Sequence, residues 1–182
     1  ANTSLIIMDF SSILFTVALF VSQLDGGNAY PTRTCPYAFE QHGHQCYKVL
    51  AEQASWAEAK MYCQAIGGDL ARVTSDKEQT IIAGLVLKSV GVVPHLRFWL
   101  DGSDMLVRRE WRWIGINGTS IPITYTNWLP GEPSIGLESC LEVRWDISSR
   151  WNNFDCQSRL SFICQARVRY DDVLKLTEER YL

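Results

Sequence analysis

Between Ser55 and Ile66 apolar residues return at helical spacing, with Trp56, Ala59, Met61, Cys63 and Ile66 favouring one face. Ser55 stands in capping position with Glu58 three residues on, the pattern of a capping box, and Gly67-Gly68 supplies the stop. A second segment of this kind opens on Ser75-Asp-Lys-Glu78, runs through Ile81, Ile82, Leu85 and Val86 to Lys88, and closes at Gly91 and Pro94. Elsewhere the period shortens. Alternation after the Gly43 turn predicts a small hairpin, Glu110–Ile114 alternates as a strand, and Leu141–Trp145 and Leu160–Cys164 return to strand patterning. Phe98-Trp-Leu-Asp101 begins with an uninterrupted apolar run, which predicts a short strand buried on both faces. From Ile121 to Ser139 periodicity disappears and proline and glycine punctuate the chain, as in a long functional loop.

The ends carry different signals. Ile13 to Val21 is almost wholly apolar but too short for a membrane span, and Gly27 and Ala29 occupy small-residue cleavage positions. The expectation is a signal peptide within residues 1–29, with Met8 as initiator and a cut before Tyr30. A folded domain is then expected over 30–165. Residues 166–182 form a charged, solvated tail in which Leu174, Thr177 and Tyr181 share only a weak helical face. The protein is therefore expected to be secreted, with no membrane insertion once the leader is removed.

Six cysteines, Cys35, Cys46, Cys63, Cys140, Cys156 and Cys164, all lie beyond that cut. An even count in a secreted chain implies a disulfide framework, for which arithmetic leaves 15 pairings open. The absence of any Cys-x-x-Cys argues against zinc and against redox catalysis. Net charge is −3, from 17 Lys and Arg against 20 Asp and Glu, and no basic stripe points to nucleic acid. Catalysis is excluded on similar grounds: only His42, His44 and His95 could act as imidazole bases, and no Gly-x-Ser-x-Gly occurs. Most of the seven tryptophans are expected in the core, Trp151 included.

One stretch carries distinctive chemistry. Trp128 to Cys156 gathers Glu132, Glu138, Asn152 and Asn153 into a segment that reads as surface. All four bear oxygen ligands, the donors that hard cations such as calcium require. Asn117-Gly-Thr119 is an N-glycosylation sequon on a turn.

Taken together, Ser55-Trp-x-Glu-Ala-x4-Cys-x3-Gly-Gly-x-Leu70, Phe98-Trp-Leu-Asp101, Trp111-x-Trp113, Asn127-Trp-x-x-Gly-Glu-Pro133, Trp151-Asn152 and Phe162-Ile-Cys164 resemble the long-form C-type lectin domain. The wording of Trp99-Leu-Asp-Gly-Ser-Asp104 and Glu110-Trp-Arg-Trp113 is similar to the perlucin-like lectins of molluscs. The resemblance implies an α+β fold with two helices, two small antiparallel sheets and a long irregular binding loop. It implies the pairings Cys35–Cys46, Cys63–Cys164 and Cys140–Cys156, and a cis peptide before Pro133. It also implies a carbohydrate site at Glu132, Ser134, Glu138, Asn152 and Asn153. There Glu132, Glu138, Asn152 and Asn153 would ligate one calcium; carboxylates would accept from two neighbouring sugar hydroxyls and amides would donate to them.

The sequence departs from the family pattern at two of these positions. Ser134 stands in place of an asparagine and Asn153 in place of an aspartate, which weakens the expected site by one amide and one charge. Ile135 occupies the place of an acid that would support an auxiliary calcium, so only a single site is expected. Glu132 favours mannose-type hydroxyl pairs. The implied role is recognition of glycans in immunity or at cell surfaces, possible as an oligomer. The alternative is a calcium-independent domain that binds a protein or a mineral, shell-matrix surface.

Overall fold

In the computed structural model, residues 33–170 are described. The leader, the Tyr30 cut and the Leu174, Thr177 and Tyr181 face lie outside them. In chain order the elements are β1 (Arg33–Thr34), β2 (Glu40–His42), β3 (Gln45–Ala54), α1 (Trp56–Ala65), β4 (Asp69–Leu70), α2 (Asp76–Lys88), β5 (Arg97–Ser103), β6 (Arg112–Ile114), β7 (Ser120–Pro122), β8 (Cys140–Arg144), β9 (Arg150–Phe154), β10 (Leu160–Arg167) and β11 (Arg169–Tyr170). Short 3-10 turns at Ile116–Gly118 and Trp145–Ile147 interrupt the connections.

The two helices form where the apolar spacing puts them, and their caps differ. Ser55 and Glu58 make the full reciprocal box: the Glu58 carboxylate takes the Ser55 N–H at 2.9 Å. At α2 only half of it forms. Ser75 accepts from the Glu78 N–H, whereas the Glu78 carboxylate turns back to Thr74, taking its N–H at 2.6 Å and its hydroxyl at 2.8 Å. The inward face of α1 also differs from the expectation. Met61 is 64% exposed, and Lys60 is buried in its stead. The reason is angular: five residues at about 100° each carry Met61 about 140° around the helix from Trp56. Lys60 shares the face of Trp56, and its ammonium satisfies three acceptors: Asp69 Oδ1 at 2.6 Å, Asp101 Oδ1 at 2.5 Å and Ile114 O at 2.5 Å.

The strands are wired differently from two separate antiparallel sheets. β1 and β11 form an antiparallel pair of their own. The remaining nine strands join one mixed network along β2-β3-β10-β5-β6-β7, with β4 on β10, and β8 between β5 and β9. The join is a parallel contact between β5 and β10, where Phe98 faces Ser161. β10 and β11 carry the pairing past residue 165, the boundary read from the sequence.

All three disulfides take the pairing that the resemblance implies, Cys35–Cys46, Cys63–Cys164 and Cys140–Cys156. The long bridge ties α1 to β10. Beside it the two glycines have separate tasks: Gly67 turns the chain at φ 88°, and Gly68 passes so close to β10 that a Cβ there would sit 2.5 Å from the Gln165 carbonyl oxygen. Trp99, Trp113 and Trp151 are fully buried or nearly so, and buried indoles must place their N–H. Trp56 Nε1 donates to Leu100 O, Trp99 Nε1 to Ala54 O, and Trp151 Nε1 to Gln79 Oε1, so each tryptophan also pins one element to another.

Candidate functional site

The long loop hangs from the sheet at both ends. Its first leg lies parallel beside β9: Trp151 N–H donates to Asn127 O and Leu129 N–H to Trp151 O, both at 2.8 Å. Around this joint the rings of Trp113, Tyr125 and Trp128 all meet Trp151 edge-on, with centroids 5.7 to 5.8 Å away. Trp151 is fully buried and presents no face to a ligand. Gly131 then turns at φ 89°, and the Glu132–Pro133 peptide is cis. The far leg is anchored by Ser139, whose carbonyl accepts the Ser103 hydroxyl at 2.7 Å and the Asp104 N–H at 3.2 Å.

Within this frame four of the five expected site residues converge, and the smallest is their hub. The Ser134 N–H donates both to Glu132 Oε2 at 2.7 Å and to Asn153 Oδ1 at 3.0 Å. Its hydroxyl lies 3.4 Å from Glu138 Oε2 and 3.3 Å from Asn153 Oδ1. Asn153 is clamped from behind: its amide nitrogen donates to Ser134 O at 3.1 Å and to Glu138 O at 3.0 Å. Both amide protons are thus used within the loop. The Asn153 oxygen accepts from the Ser134 N–H and hydroxyl, and its amide has no donor left for a sugar hydroxyl, which corrects the expectation of donating amides at this position.

Asn152 belongs to a second, deeper cluster. Neighbouring strand residues point to opposite faces, and Asn152 lies across from Glu142 in the β8–β9 ladder. Its amide donates to Glu142 Oε1 at 2.8 Å and keeps one proton in reserve. Glu142 is 0% exposed and receives Arg97 in a two-pronged pair, Nε at 2.7 Å and Nη2 at 2.6 Å. Arg97 in turn lies 3.8 Å over the Phe154 ring.

One expectation changes here. The Trp128–Cys156 stretch reads as surface, yet Asn152 and Asn153 are buried inside β9 alongside Trp151, whose burial is expected. Glu142 and Arg97 escape a reading by motif, because Leu141, Glu142 and Val143 are all buried in a strand flanked on both sides by others. The only signal for Glu142 is an acid flanked by apolar neighbours in a strand pattern.

The donor chemistry suits a hard cation. Glu132 and Glu138 make no ion pair among the described residues, and both reach the same serine, so two negative charges face one spot with neutral oxygens beside them. A divalent ion relieves such crowding, and oxygen is its preferred donor. Among the described residues no group of three or more His, Cys, Asp or Glu side chains is placed to hold a metal.

A family model for the lectin C-type domain matches residues 52–166. The chain belongs to the C-type lectin family. Perlucin of Haliotis laevigata is 33% identical over 144 residues, covering 77% of this chain and 88% of perlucin. A galactose-specific lectin, nattectin of Thalassophryne nattereri, is 31% identical over 156 residues, covering 82% and 94%. Among solved structures, a calcium-independent type II antifreeze protein superposes with a TM-score of 0.63 at 27% identity, covering 76% of this chain and 98% of its own. This C-type lectin domain has carbohydrate-binding lectins among its relatives and is not an enzyme.

Proposed function

We propose that this C-type lectin is secreted and binds glycans in immune or cell-surface recognition, through a single weak calcium site. Glu132, Ser134, Glu138 and Asn153 hold the ion, and Asn152 borders it. The observation that carries this reading is the pair of carboxylates, Glu132 and Glu138, meeting at Ser134 without a cation partner among the described residues. When bound, calcium would supply positive charge that offsets both acids and attracts sugar hydroxyl oxygens.

The chain's own residues supply the rest. Glu132 and Glu138 accept hydroxyl protons, charge-assisted bonds of the stronger kind. The spare amide proton of Asn152 and the Ser134 hydroxyl are the available donors. Glu132 supports mannose-type over galactose-type hydroxyl pairs, although the nattectin relative is named for galactose. Single contacts of this sort are weak, so useful avidity comes from several sites on one surface. Asn117, in the sequon on the 3-10 turn at Ile116–Gly118, is proposed as the glycan acceptor.

A second reading has its own support. Ser134 and Asn153 already close the loop by hydrogen bonds among protein atoms, and a calcium-independent antifreeze protein shares the fold. On that reading the loop binds a protein or mineral surface without an ion. Retention of the disulfide-intact chain on immobilised mannan and on a galactose matrix, in calcium and then in EDTA, separates the two. Retention in calcium, release by EDTA and loss in Glu132→Ala support the first. Failure on both matrices, or EDTA-resistant binding, overturns it in favour of the second.

A further inference from the structure

A cavity of about 530 Å³ opens where β4, the start of α2 and the end of β10 meet the turn between β6 and β7. Its lining shares no residue with the oxygen cluster of the long loop. Small-molecule sites run from about 300 to 1,000 Å³, so the size is that of a ligand pocket.

The sheet decides what faces this space. Gln165 stands opposite Asp69 on β4 and Tyr47 on β3, and Arg167 stands opposite Gln45. Strand residues two apart share a face, so Gln165 and Arg167 line the cavity together, with Asp69 and Gln45 beside them. Gly67 and Gly68 leave one stretch of the lining bare of side chains. Arg169 reaches Gly67 and donates from Nη2 to its carbonyl at 3.4 Å.

The charges around the cavity are unequally matched. Lys60 and Arg72 offset Asp69 and Asp101 in one closed network, with contacts of 2.5 to 2.7 Å. Glu78 lies in the first turn of α2, where the helix dipole favours an acid, and its Oε2 takes the N–H and hydroxyl of Thr74. Its other oxygen is left as an acceptor. Arg167 and Arg169 are exposed and form no ion pair among the described residues, so two positive charges stand near Gly67 with no acid to answer them. Ile116 and Ile121, each about half exposed, add apolar surface to the lining. Among the described residues no aromatic ring lines the cavity, so a neutral sugar finds nothing to stack on.

We infer that this cavity is a sugar site separate from the loop and independent of calcium, and that it takes a hexuronic acid unit. The carboxylate meets Arg167 and Arg169, whose planar forks match its two oxygens, and hydroxyls meet Glu78 and the Gln45 amide. The C–H faces of the ring lie against Ile116 and Ile121. The inference does not rest on the calcium-site reading.

The test is calorimetry of the disulfide-intact chain in EDTA at low salt, with methyl glucuronide, methyl glucoside and acetate as probes. The first two differ only in the carboxylate, and acetate carries the carboxylate without the ring. The glucuronide is expected to bind at least tenfold more tightly than either of the others. Arg167→Gln and Arg169→Gln, each at an exposed position, are each expected to weaken it about tenfold, the scale of a lost bond to a charged group, and to leave mannan retention in calcium as in wild type. Absence of glucuronide binding in EDTA, equal binding of the glucoside or of acetate, or affinity unchanged in both variants overturns the inference. Failure of mannan retention alone counts against the loop site and leaves this one standing.

Discussion

Replacing Arg97 by methionine tests the deeper half of the site. The substitution keeps much of the side chain's length and apolar contact with Phe154 but removes the guanidinium that meets both oxygens of Glu142. Glu142 is 0% exposed, so its charge is left with the Asn152 amide as a partner and no water to replace the lost bonds. Removing one partner of a buried ion pair costs about 3–5 kcal/mol. For a domain of this size each kcal/mol lowers Tm by about 2–4 °C, so the expected fall is roughly 6–20 °C.

Arg97→Met/Glu142→Leu recovers a large part of the loss, because an apolar pair leaves no buried charge. Chemical denaturation of the three proteins checks this. A single variant within about 1 kcal/mol of wild type refutes the reasoning.

Two further outcomes follow from the helix face and the buried network. Met61→Lys is expected to change stability by no more than about 0.5 kcal/mol in denaturant titration, because Met61 is 64% exposed; a loss of several kcal/mol would place Met61 in the core after all. Burial pushes the Asp101 carboxyl up to about 7, against the pull of Lys60 and Arg72. Between about pH 4 and pH 7 the unfolded chain has lost a proton that the folded chain retains, so this group's contribution falls as pH rises and is flat above about 7. Asp101→Asn removes that slope. Identical pH profiles of denaturation midpoint for the two proteins would contradict it.

How much was legible in the sequence follows the range of the interactions. Helices α1 and α2, the disulfide pairing and the site loop were readable, because caps, apolar period and a dense set of family motifs are local signals. The burial of Lys60 rests on Asp69, Asp101 and Ile114, which lie up to 54 residues away. No window around Lys60 contains them. Strand β9 was obscured by its Asn152-Asn153 pair, residues depleted from strands, which are held in place by partners on β8 and in the loop. At the site, four of the five positions named by the family pattern, Glu132, Ser134, Glu138 and Asn153, come together, and Asn152 pairs with Glu142 instead. What the residue types did not reveal is that Ser134 becomes the hub, and that Asn153 spends both amide protons inside the loop.

If Glu132, Ser134, Glu138 and Asn153 form the weak calcium site proposed above, the ion stabilises the fold and a calcium titration of Tm reads this out. For a dissociation constant of about 1 mM, typical of extracellular calcium modules, 10 mM calcium stabilises the fold by about 1.4 kcal/mol. That corresponds to a rise of roughly 3–6 °C. The account predicts this rise in the wild-type chain, a larger one in Asn153→Asp and none in Glu138→Gln. A Tm indifferent to calcium in both wild type and Asn153→Asp would contradict it.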